Sequence, residues 1–131
     1  MKEKEKYLTE FTVRGYELDS YGHVNNAVFL QYLEQARWEF TRDRGILGEF
    51  CARELFLVVV ETHIRYMQEA KLFDRLSVET SCQESAPFLV FHQRILNRTS
   101  RKPAARATVK TIFINRDREP QDIPDPVLKK L

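Results

Sequence analysis

Residues 16–37 read YELDSYGHVNNAVFLQYLEQAR, and the stretch changes character halfway. Asp19, Gly22, His23, Asn25 and Asn26 crowd into eight consecutive residues, after which the pattern becomes helical. At about 100° per residue, Phe29, Leu33, Ala36 and Phe40 fall within one narrow stripe, with Leu30 and Tyr32 flanking it. Gln31, Glu34, Glu39 and Arg42 lie off that stripe. The spacing predicts a helix over residues 27–44 that buries the stripe as core. Arg42 and Arg44 complement the negative end of its dipole, and Gly45 suits the position just past its C-cap.

Working outward, residues 8–14 (LTEFTVR) alternate and are rich in Thr, Phe and Val, the pattern of a first strand. Downstream, LFLVVVETHIRYM (55–67), RLSVETSCQE (75–84), PFLVFHQRILNR (87–98) and ARATVKTIFIN (105–115) also read as strands. They are 10 to 13 residues long, against about 5–6 for a typical strand. The breaks EAKLFD, SA and TSRKPA separate them, and residues 45–54 read as a short connection. The proline-rich tail PQDIPDPVLKKL is expected to run over the surface. The predicted order is β-α-β-β-β-β, an α+β chain forming one domain over residues 1–131. One helix must cover one face of a long antiparallel sheet, so the sheet is expected to curve around it. Uncovered sheet edges then point to a homodimer.

The bulk composition narrows the function. A chain of 131 residues with 43% apolar and 31% charged side chains can bury a real core. A net charge of +2 gives no ground for nucleic acid or a membrane surface as partner. No apolar run approaches the ~20 residues that span a bilayer. The start, MKEKEKYLTE, lacks the apolar region of a secretory signal. Cys51 and Cys82 form no CxxC pair, and His23, His63 and His92 are scattered, so neither a disulfide framework nor a metal site is expected. These features point to a cytoplasmic protein.

A structural account covers part of the crowded turn. DSYG has the Asp-first, Gly-fourth form of a type I turn, and Asn25 or Asn26 suits an N-cap before Ala27. That account leaves His23 and the second asparagine unexplained. A chemical account uses the same geometry. The first turn of the helix presents unpaired N–H groups at the positive end of its dipole, where they can polarise a carbonyl oxygen. Asp19, with a reference pKa of about 3.9, is then available to attack an activated acyl carbon or to deprotonate a water. The sequence pattern shows no zinc site, serine triad or cysteine–histidine pair for attacking an amide. A thioester suits a lone carboxylate because its leaving group needs no general acid.

The run D-x-x-G-H-V-N-N, followed by an aromatic-rich helix carrying E-x-A-R, resembles the signature of hotdog-fold acyl-CoA thioesterases of the 4-hydroxybenzoyl-CoA thioesterase-like family. VETHIRYMQEAKLFDRLSVET (60–80) is similar to that family's second and third strands, and RKPAARATVKTIFIN (101–115) to its last. The resemblance implies a long central helix wrapped by a curved antiparallel sheet. It also implies acyl-CoA as substrate, no cofactor or metal, and sites built between the subunits of a homodimer or homotetramer. By the same resemblance Asp19 is the catalytic carboxylate, the Asn26 backbone N–H polarises the carbonyl, and His23 completes the catalytic set by fixing the loop. Gly22 lets the loop close and, with Asn25, borders the substrate. Phe73 stands where relatives often carry glycine, which puts the shape of that turn in question.

Between Arg94 and Arg118 eight basic residues face one acid, Asp117. This is the composition of a solvated strand pair. Its functional reading is a landing site for CoA phosphates, with Arg101 and Lys102 at the loop tip as substrate contacts. Nucleic acid fits less well, because stacking aromatics are not interleaved with these cations. Glu34 and Glu39 read as solvated or interface positions, Trp38 as packing on the sheet's far end or a partner, and His63 and His92 as ordinary strand residues. Rival functions are acyl-ACP hydrolysis and acyl-CoA binding without catalysis, although a pure binder has no use for an anion beside an anionic ligand. A hydratase of the same fold would carry a D-x-N-x-x-H motif, which is absent. Spacing does not determine the acyl group.

Overall fold

The computed structural model describes residues 6–131. The charged residues 1–5, part of the start read above as no secretory signal, lie outside the described residues. Strand β1 (Tyr7–Thr12) leads through a 3-10 turn (Gly15–Glu17) into α1 (Asn26–Asp43) and α2 (Ile46–Arg53). Four long strands follow, β2 (Phe56–Tyr66), β3 (Arg75–Ser85), β4 (Phe88–Asn97) and β5 (Lys102–Ile114), then β6 (Pro120–Gln121) and α3 (Asp125–Leu128). The sheet runs β1-β3-β4-β5-β2 with antiparallel neighbours. β6 pairs with Phe113 and Ile114, where β5 extends past its last pair with β4, Phe88↔Ile112.

The predicted order is thus present, and α1 packs across one face of the sheet as the hotdog arrangement requires. Phe29, Tyr32, Leu33, Ala36 and Phe40 are all buried. Strand alternation supplies the opposing surface, with Leu89, Phe91, Gln93, Ile95 and Asn97 of β4 turned inward. The Phe40 ring meets Phe91 and Tyr7 edge-on, at 5.8 and 5.9 Å between centroids. Gln93 crosses the interface, its amide donating to the Leu33 carbonyl and to Thr80 Oγ1.

Two expectations need correction. Residues 45–54 are not a plain connection. Gly45, at φ 74°, both follows the C-cap of α1 and opens α2, whose Ile46 and Phe50 are buried one turn apart. The tail does not simply cross the surface either. Ile123 and Val127 are buried, Pro124 and Pro126 open α3, and Lys130 Nζ reaches the Gly45 carbonyl and Glu49. Leu30, which flanks the core stripe, is 40% exposed. Trp38, half exposed, lines a groove with α2 and the start of β2.

Phe73 answers the question its position raised. Its φ of 67° is the left-handed conformation a glycine would adopt, and its N–H still donates to the Val13 carbonyl at 3.1 Å. The turn keeps its form through Asp74, whose Oδ2 accepts from Lys71 N and from Asn97 Nδ2. A left-handed non-glycine residue costs about 1–2 kcal/mol, part of which glycine's greater unfolded-state entropy cancels. Phe73→Gly is therefore expected to raise stability by up to about 1 kcal/mol, read as a higher urea midpoint at unchanged slope.

Candidate active site

The connection from β1 to α1 is a miniature hairpin. Val13 N–H donates to the Asp74 carbonyl, the 3-10 turn follows, and Leu18 and Val24 then form an antiparallel bridge. At the tip, Asp19 N–H donates to the His23 carbonyl at 2.7 Å, and Gly22 N–H returns to the Asp19 carbonyl at 3.0 Å. Asp19 Oδ1 accepts from the N–H groups of Tyr21 and His23, at 2.9 and 3.1 Å. This is the turn expected from DSYG, with the aspartate bracing its own loop. Gly22 sits at φ 77°, and a Cβ there would meet nothing within 4 Å, so backbone conformation rather than space selects glycine.

The structure also decides between the two asparagines. Asn25 is the N-cap: its Oδ1 accepts from Ala27 N at 3.0 Å and its carbonyl from Val28 N at 2.9 Å. Asn26 is the first helical residue, and its N–H meets no acceptor among the described residues. Asp19, Asn25 and Asn26 are exposed, while His23 is half-buried and its backbone bridges to Lys71. Asp19 Oδ2 likewise has no donor among the described residues. A carboxylate with a spare oxygen and a helix-terminal N–H with a spare hydrogen therefore share one short, braced loop. Chemically, such a pair can grip a carbonyl oxygen and supply a base or nucleophile.

Several supports of this loop escape sequence reading. Tyr66, at the end of β2, donates its hydroxyl to the Asn26 carbonyl at 3.1 Å and packs on Phe29. Ala70 accepts from Val24 N, and Glu17 accepts from Asn25 N through its carbonyl. The aromatic end of HIRYM is the one visible hint of Tyr66.

The remaining candidates separate. Arg101 and Lys102 are exposed at the β4–β5 turn, at the same end of the sheet as the β1–α1 loop, as the pairs Thr12↔Arg75 and Leu76↔Asn97 show. Other cations of the basic segment have structural duties: Arg98 on Ser77, Lys110 over Phe88, and Arg116 on Glu54. His63 and His92 are exposed mid-strand residues, as expected. Cys51 is exposed and Cys82 is buried. A groove of about 500 Å³ runs between the second half of α1, α2 and the start of β2, lined by Trp38, Leu47, Phe50, Leu55, Phe56 and Val59 among others. None of residues 16–26 borders it. Arg37 reaches it while donating to Gln93, and burial pushes its guanidinium below the usual range, opposed by Glu34.

Comparison with known proteins extends the picture. A sequence model of the Thioesterase-like superfamily matches residues 13–131. The long-chain acyl-CoA thioesterase FadM of Escherichia coli (strain K12) is 40% identical over 76 residues, a match spanning 58% of either chain. The acyl-CoA thioesterase YbgC of Haemophilus influenzae is 34% identical over 110 residues, 80% of this chain and 79% of that one. The crystal structure of YbaW, a probable thioesterase from Escherichia coli, superposes with a TM-score of 0.85 at 29% identity, covering 94% of each chain.

The cap makes the first prediction about this loop. Asn25→Ala is expected to cost about 1 kcal/mol and Asn25→Asp almost nothing, as read from thermal or urea unfolding.

Proposed function

We propose that this chain, which belongs to the Thioesterase-like superfamily, hydrolyses acyl-CoA thioesters to CoA and a carboxylic acid. One observation carries the reading: Asp19 and the Asn26 N–H each have an unused valence on one braced loop. The substrate carbonyl oxygen takes the Asn26 N–H, assisted by the helix dipole, and that hydrogen bond strengthens as the oxygen becomes an oxyanion. Asp19 Oδ2 then either takes a proton from the attacking water or itself bonds to the acyl carbon, forming an anhydride that water opens at the acyl carbon. In both cases the C–S bond breaks, the sulfur leaves as thiolate, and the water oxygen ends in the acid. Gly22 shapes the turn, while His23 and Asn25 hold it and border the substrate. Arg101 and Lys102, at the same end of the sheet, suit the CoA phosphates. The names of the two curated relatives support the substrate class, and the reading covers residues 1–131 as one unit. The setting in this reading is the reducing cytoplasm.

The working form in this proposal is a homodimer, alone or within a tetramer. β2 is an edge strand with no buried residue, and Phe56, Val59, Val60 and Tyr66 are each 42–51% exposed. Pairing it with the same strand of a second copy satisfies the open edge. A two-fold axis near the middle of β2 sets the Tyr66 end of one copy against the Phe56 end of the other. That brings the loop of one subunit to the apolar groove of its partner, and so supplies the acyl pocket that the single chain lacks beside Asp19.

Asp19→Asn keeps an acceptor for Tyr21 and His23, so it is expected to fold as the parent does. Its turnover of acyl-CoA, followed with a thiol-reactive dye, should drop by about 10² or more. Parent-level turnover would remove Asp19 from the chemistry. Tight acyl-CoA binding by the parent with no hydrolysis would favour the binding-only role, and faster turnover of the matching carrier-protein thioester would favour the acyl-ACP role. Val60→Lys, which puts a charge on the open edge, is expected to yield a folded monomer in sedimentation with little activity. A dimer that persists would place the interface elsewhere.

A further inference from the structure

We infer that Glu17 is a positioning residue for this reaction, the buried carboxylate that holds the Asp19 hairpin in register with the start of α1. The inference rests on the reading of Asp19 given above and adds a residue to it.

Glu17 is 6% exposed, although it lies two residues from the exposed Asp19. Its Oε1 accepts from the Tyr32 hydroxyl at 2.7 Å and from Arg14 N at 2.8 Å, and Oε2 faces Arg14 Nη1 at 3.3 Å. Its main-chain carbonyl accepts from Asn25 N, the N-cap itself. One residue thus joins the exit of β1, the second turn of α1 and the cap. The Leu18–Val24 bridge begins immediately after it and carries Asp19.

The donor on α1 is held as firmly as the acceptor. Tyr32 is 2% exposed, with its ring 4.9 Å from Phe11 and 6.2 Å from Phe29 between centroids. Burial, reinforced by the hydrogen bond to Glu17, pushes its hydroxyl above the usual tyrosine range, so it stays a donor at every working pH. Burying a carboxylate is costly until its partners offset it, and an apolar side chain would fill the same space without that cost. What an apolar side chain lacks is direction. Three donors from two elements fix both the height and the rotation of the hairpin relative to the helix end. A misplacement of about 1 Å at a reacting group can cost about 10² in rate.

The test compares kcat, KM and melting temperature for Glu17→Ala, Glu17→Gln and Tyr32→Phe, with Asp19→Asn as reference and rates taken well below each melting temperature. Oε1 alone serves both Tyr32 and Arg14 N, so glutamine preserves those two bonds. Glu17→Ala is expected to lower kcat about tenfold or more with KM within about twofold. Glu17→Gln should recover most of that loss, and Tyr32→Phe should lower kcat in the same sense by a smaller factor. Unchanged kcat in Glu17→Ala, or in Tyr32→Phe should the alanine variant not fold, overturns the inference. So does a Glu17→Gln variant as slow as Glu17→Ala. Parent turnover in Asp19→Asn would instead overturn the proposed function, so the two failures are distinguishable.

Discussion

The closure of the first turn of α1 is the constraint on which the site depends. A helix start must satisfy or expose its leading N–H groups. Here the Asn25 side chain takes one, at Ala27, and its carbonyl takes the next, leaving the Asn26 N–H unclaimed. The same closure decides where Asp19 sits, because Asn25 N is tied to Glu17 and the hairpin between them has no slack. A cap made by a flexible loop would free the same donors without fixing Asp19 in the same braced hairpin. In the proposed chemistry the structural and catalytic accounts of Asp19 are therefore compatible: one carboxylate oxygen braces the turn and the other faces the substrate.

A second constraint comes from the imbalance between one long helix and a five-strand path. α1 covers the centre of the sheet through Phe29, Leu33, Ala36 and Phe40, but it leaves β2 at the edge with no buried residue. Tyr66 anchors one end of that strand to the helix start, while the other end borders the apolar groove. The loop and the groove therefore lie at opposite ends of β2. An antiparallel pairing of two such edges brings each loop to the other subunit's groove, which is why the proposal treats assembly and activity as one problem.

Local patterning carried much of this into the amino-acid order. A 3.6-residue stripe identified the buried face of α1, alternation identified the strands, and DSYG identified its turn, because each depends on neighbours within a few positions. The same reasoning failed at 45–54 and in the tail. There glycines and prolines read as breaks, whereas Gly45 opens a helix and Pro124 and Pro126 begin another. Two buried side chains in each segment, Ile46 with Phe50 and Ile123 with Val127, were too few to outweigh those signals.

Reading residues in order thus established the element sequence, the helix core and the identity of the loop that carries Asp19. It left open which asparagine caps the helix, what holds the hairpin, and where an acyl group finds room. Folding resolved the first two through contacts that no periodicity encodes, such as Tyr66 on Asn26 across 40 positions and Glu17 on Tyr32 across 15. The room proposed for an acyl group is a groove on another part of the surface. Periodicity assigns a side chain to a face, whereas strand register and helix placement choose its neighbour on that face, and those depend on the packing of the whole sheet.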